Sequence, residues 1–110
     1  MEPITDEYMR QMLPKAKAYT AVILKPGPNA GTEGADKIKW EHGRRNFALR
    51  AEGKLSIVCP VFSPEVNGIG IFNLTLDETR AVMDADPGVS AGTFVYEAYP
   101  CRSFPGDALP

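Results

Sequence analysis

The sequence predicts an α+β domain: a four-stranded antiparallel sheet carrying two helices on one face. Three observations predict it. The chain has 110 residues, the length of a single domain. Short runs rich in β-branched residues alternate with two helical patterns in the order β-α-β-β-α-β, after a short N-terminal extension. Ten glycines and ten prolines punctuate the boundaries.

Taken in order, residues 2–17 are mixed and polar, with Tyr8, Met9, Met12 and Leu13 placed to line one side of a short helix that stops at Pro14. Residues 19–24 (YTAVIL) read as a strand, and the Gly- and Pro-rich segment up to Gly34 as a loop. Residues 36–52 contain no proline and end at Gly53, a residue suited to a left-handed C-cap, so they read as one helix. Gly43 inside it costs roughly 1 kcal/mol against alanine. Residues 55–61 form a second strand, 63–67 a turn and 68–74 a third strand, whose two glycines suggest a bulge or close backbone approach. Thr75-Leu-Asp-Glu78 is a capping box opening a helix that ends near Asp86, before Pro87-Gly88. Residues 93–99 alternate as the last strand, and 100–110 read as an extended arm. This order is the ferredoxin-like split βαβ arrangement.

Composition narrows the function classes. The chain is 44% hydrophobic and 24% charged, as ordinary globular chains are. A net charge of −2 gives no electrostatic case for nucleic acid or an anionic membrane as partner. No apolar run approaches the roughly 20 residues of a membrane span, and MEPITDEYMR lacks the features of a signal peptide, so a cytoplasmic location is expected. Two cysteines and one histidine are too few for a zinc or iron–sulfur cage, and no metal or cofactor is expected. The strands carry apolar residues on both faces, Val22 and Leu24 on one and Ala21 and Ile23 on the other. A bare face would be costly for so small a domain, which predicts a homodimer through the open sheet face.

The first long helix is the informative element. With residues about 100° apart, Ile38, His42 and Leu49 fall within roughly 40° of one another, flanked by Arg45 and Asn46. Trp40, Phe47 and Ala51 cluster on the opposite side. The His42 stripe is assigned to the sheet, and the N-terminal segment or the tail is expected to cover the other. Three polar groups facing a sheet would cost several kcal/mol if unsatisfied, which argues for a hydrated pocket. The plainer alternative is a histidine satisfied in the core. Asp86, with Asp84, is expected in the last turn of the second helix, where the helix dipole disfavours it. A histidinium across the pocket would compensate it; the alternative is an acid that merely terminates the helix. An Asp–His pair suits proton transfer near neutral pH. Cys59 lies on the second strand and could face the pocket as a nucleophile, against the plainer reading of a small buried hydrophobe.

The helix histidine, Ala51-Glu-Gly-Lys-Leu55 leading into Val58-Cys-Pro60, the Gly-rich strand, and Asp86-Pro87-Gly88-Val89-Ser90-Ala91-Gly92 together resemble the YciI-like (YCII-related) family. The resemblance covers residues 18–100 and leaves 1–17 as an N-terminal extension and 101–110 as an extended tail. It implies a dimeric α+β barrel, with His42 and Asp86 matching the family's proposed active-site dyad. Some relatives act on lactones or chlorinated lactones by proton transfer and elimination. Gly43 and Asn46 depart from the family, standing where larger apolar residues are common.

The expectation is a small acid–base enzyme, a lyase or isomerase. His42 would act as general base or acid and Asp86 would orient it. Arg45 and Asn46 would bind the polar parts of a small anionic or lactone-like molecule undergoing isomerisation or elimination. The alternative is a non-catalytic small-ligand-binding or interaction module with the same pocket, or a structural dimer with a buried polar cluster.

Overall fold

A computed structural model of the chain describes residues 2–110. The elements run α1 (Asp6–Met12), a 3₁₀ turn (Leu13–Lys15), β1 (Lys17–Pro26), α2 (Ala35–Ala51), β2 (Leu55–Pro60), β3 (Gly68–Phe72), α3 (Leu76–Asp84), α4 (Pro87–Ser90) and β4 (Phe94–Ser103). The four strands form one antiparallel sheet in the order β2-β3-β1-β4. The α+β class is as expected, and the strand order is compatible with a ferredoxin-like fold.

One sheet face is the core. Val22 and Leu24 of β1, Leu55 of β2, Phe72 of β3 and Phe94 of β4 pack with Leu49 of α2 and Met83 of α3. Their alternation along β1 sets the other parity, Tyr19, Ala21 and Ile23, on the uncovered face. Cross-strand pairing extends that face through Ile71 and Ile69 of β3 and Tyr99 and Glu97 of β4.

Local chemistry explains the element ends. At the close of α2, Gly53 has φ of 76°, its N–H bonds the Arg50 carbonyl at 3.1 Å, and the Lys54 N–H bonds the Leu49 carbonyl at 3.0 Å. This is a Schellman motif, and the left-handed residue it needs is the glycine expected there. The Thr75–Glu78 capping box at the start of α3 is formed in both directions, at 2.9 and 3.2 Å.

Three expectations are corrected. The last strand does not stop at Tyr99. It continues to Ser103, pairing Cys101 with Tyr19 and Ser103 with Lys17, so β1 also begins earlier than Tyr19. Pro100 is tolerated because β4 is an edge strand and one of its faces needs no ladder donor. Beyond it, Phe104-Pro-Gly-Asp107 closes a turn, with Gly106 at φ of 98° and the Asp107 N–H on the Phe104 carbonyl at 3.0 Å.

The second correction concerns Asp86. α3 ends at Asp84, and Asp86 is the N-cap of the separate short helix α4. Pro87 occupies its first turn, where the missing N–H has no cost. The carboxylate therefore sits at a helix N-terminus, which favours negative charge, and not at a C-terminus, which opposes it. The third correction is the second stripe of α2. Neither the N-terminal segment nor the tail covers it: Trp40 is 70% and Phe47 64% exposed.

Candidate functional site

His42 reaches the sheet side of α2 because it shares the face of Leu49, one of the buried anchors of that helix. It is itself buried, with its ring 4.8 Å from that of Phe94 and inclined at 51°. Asp86 is brought opposite by the α3–α4 junction, and its side chain is almost fully buried. His42 Nδ1 lies 2.9 Å from both carboxylate oxygens. The Gly88 and Val89 N–H groups donate to Oδ2 at 2.9 and 3.2 Å. Gly88 is the residue its position requires, since a Cβ there would overlap the Phe94 ring.

Burial acts to push the Asp86 carboxyl up. The hydrogen bond and charge of His42, with the two α4 N–H groups, outweigh it and hold the carboxyl below its ordinary value. Asp86 is thus a carboxylate, and Nδ1 of His42 is its donor. Asn46 sits one turn along α2, its Nδ2 3.1 Å from His42 Nε2. The tautomer that satisfies both contacts carries its proton on Nδ1 and directs the Nε2 lone pair toward Asn46. The buried acid thus holds the imidazole in one orientation, a geometry that can serve proton transfer.

His42 and Asn46 line one part of a cavity of about 1060 Å³ whose lining also takes in Tyr19, Ile69 and Ile71 of the opposite sheet face. Its apolar wall includes Val22, Leu24, Phe72, Met83 and Phe94, and residues of the C-terminal segment 103–109 also contribute. Asn67 lines it too, and its buried Oδ1 has no hydrogen-bond partner among the described residues.

Of the four candidate residues, His42, Asp86 and Asn46 come together. Arg45 joins them from behind. Its guanidinium donates to the Val82 carbonyl at 2.7 Å and approaches Asp86 Oδ1 at 3.5 Å, and it is absent from the cavity lining. Arg45 therefore ties α2 to α3 beside the acid. The cations that do line the cavity are Lys39 and Arg50, which the sequence reading passed over. Their signal was available: positions 39, 42, 46 and 50 are spaced three to four apart and share one helix face. Cys59 is exposed on the edge strand β2, not buried as a strand cysteine usually is. Among the described residues, no group of three His, Cys, Asp or Glu side chains is gathered as a metal site would require. None of the described helices is long and apolar enough to cross a membrane.

A comparison of the chain with protein-family models and with curated proteins finds no match to either.

Proposed function

We propose that the protein is an acid–base enzyme of the YciI-like type, acting on a small anionic or lactone-like molecule by isomerisation or elimination. One observation carries the reading: a histidine fixed at Nδ1 by a buried carboxylate, with Nε2 beside an amide at the wall of a cavity. Nε2 of His42 takes a proton from the carbon next to a carbonyl, displacing the Asn46 contact. Asp86 stabilises the imidazolium that results. The same proton returns to another atom in an isomerisation, or is lost as a leaving group departs in an elimination. Lys39 and Arg50 supply positive charge at the cavity wall for an anionic group, and the Val22, Leu24 and Phe72 surface takes the apolar body.

The reading includes a homodimer formed through the open sheet face, giving a dimeric α+β barrel. The apolar residues Ile23, Ile69, Ile71 and Tyr99 of that face support it.

The test replaces His42 by Gln and by Ala and assays both variants on a panel of lactones and halolactones. A general base contributes about 10²–10⁴-fold, so a loss of that order is expected in both variants, with their circular dichroism unchanged. Full turnover in both would refute the mechanism. Saturable ligand binding with no turnover by the unaltered protein would favour a binding module.

A further inference from the structure

We infer that the N-terminal arm of one chain, residues 2–15, lies on α2 of a second copy. The Tyr8, Met9 and Leu13 side of α1 would seat on the Trp40–Gly43–Phe47 stripe at the edge of the cavity beside His42.

The arm is built to be held by something other than its own body. Thr5 caps α1 by accepting from the Tyr8 N–H at 3.1 Å, and Asp6, Glu7 and Arg10 suit the helix dipole. Seven residues are nonetheless too few for a helix to persist alone in water. α1 buries none of its residues and packs appreciably only on the turn that follows it. That turn is closed by the Ala16 N–H on the Leu13 carbonyl at 3.2 Å, and Arg102 donates to the Ala16 carbonyl at 3.2 Å. These bonds fix the end of the arm at β4, and the arm itself makes no appreciable packing contact with the sheet or α2, in a chain measuring 56 × 28 × 22 Å. Ile4, Tyr8, Met9 and Leu13 are all exposed.

α2 offers the matching surface. Trp40 and Phe47 are exposed on one face with Gly43 between them. Apart from its chain neighbours and the backbone of its own helix, no atom of the described residues lies within 4 Å of where a Gly43 side chain would begin. Glycine weakens a helix interior, and nothing in its own chain calls for it there. The result is a notch in the side-chain surface between two exposed aromatic residues. Charge agrees with the fit. Apart from Arg45, which faces α3, α2 carries four basic residues, Lys37, Lys39, Arg44 and Arg50, against Asp36 and Glu41, whereas residues 2–15 carry Glu2, Asp6 and Glu7 against Arg10 and Lys15. Gly43 and Phe47 also line the cavity, so the seated arm becomes part of its rim. The residues involved are distinct from those of the open sheet face.

Trp40 is the single tryptophan and reports directly on its own cover. The full chain is expected to show Trp40 emission moving to shorter wavelength as protein concentration rises. A Met9→Glu/Leu13→Glu chain keeps long-wavelength emission throughout. So does Gly43→Leu, which fills the notch with a better helix former. To establish that the arm acts between chains, a Trp40→Phe chain with an intact arm is refolded together with the Met9→Glu/Leu13→Glu chain. The emission of the latter is expected to shift to shorter wavelength. The inference is overturned by long-wavelength emission of the unaltered chain at all concentrations. It is equally overturned by a shift that survives in either variant, or by no shift in the mixture. Sedimentation of the Met9→Glu/Leu13→Glu chain, whose arm cannot seat, reads sheet-face pairing on its own, so the failure of that pairing appears in this variant's mass and the arm's failure in Trp40 emission.

Discussion

Asp86 performs two tasks with one carboxylate: it caps α4 through Gly88 and Val89 and accepts from His42. Asp86→Ala removes the cap, worth about 1 kcal/mol, and leaves a buried imidazole N–H unpaired, worth about 1–3 kcal/mol more. A loss of about 2–4 kcal/mol in urea unfolding is expected, and a smaller one for Asp86→Asn, which still accepts. The carboxyl titrates lower in the folded chain than in the unfolded one. The unfolded state therefore binds more protons between the two values, and stability falls as pH drops through that interval. The Asp86 contribution is complete above about pH 4 and disappears below the folded value. Chemical denaturation across that range should show a shallower acid loss in Asp86→Asn than in the unaltered chain. Its neighbour Asp84 has a different partner. The Tyr96 hydroxyl donates to Asp84 Oδ1 at 2.7 Å. Burial, then that bond and charge, push the phenol up to about 12. Asp84→Asn should bring Tyr96 back toward its ordinary value while burial keeps it somewhat raised, a change visible in ultraviolet titration.

Elements were legible in the sequence where a short-range signal decides them. Gly53 marked the end of α2 because only a left-handed residue completes the Schellman pair, and Thr75–Glu78 marked the start of α3. Gly53→Ala is accordingly expected to cost about 1 kcal/mol, read as a lower urea midpoint with unchanged slope. The stripe of α2 bearing His42 was also readable, because 3.6-residue periodicity places it with Leu49. Asp86 was misplaced for an instructive reason. Pro87-Gly88 stops α3, but Asp-Pro is equally an N-cap followed by its first helical residue. One dipeptide carried both meanings, and only the tertiary position of α4 against Phe94 selects between them. The reach of β4 to Ser103 was hidden for a similar reason: Pro100 reads as a strand terminator unless the strand is known to lie at a sheet edge. Arg45 and Lys39 lie on adjacent rows of one helix, and periodicity alone does not tell which row faces a carbonyl of α3 and which faces the cavity.

At the scale of the molecule, the second sheet face carries a polar cluster toward its β4 edge beside its isoleucines. Ile69 pairs with Ile23 and Cys59, while Ile23 pairs across with Glu97. Glu97 is bridged by Lys25 and accepts from the Tyr99 hydroxyl. If two copies meet on this face, an ion pair is enclosed with the isoleucines. Removing one member of an enclosed pair leaves a charge without a partner, whereas replacing both by apolar groups is often neutral or favourable. Ile69→Arg, made in the Met9→Glu/Leu13→Glu chain so that the arm does not join two copies, is expected to give a monomer in sedimentation at micromolar concentration. Glu97→Leu should weaken the dimer by stranding Lys25, and Lys25→Met/Glu97→Leu should restore or tighten it. In a monomer the same cluster stays in water, where such pairs contribute little, so both changes would leave mass and stability nearly unaltered. The order Glu97→Leu weaker, double variant recovered, belongs only to a face that another copy covers.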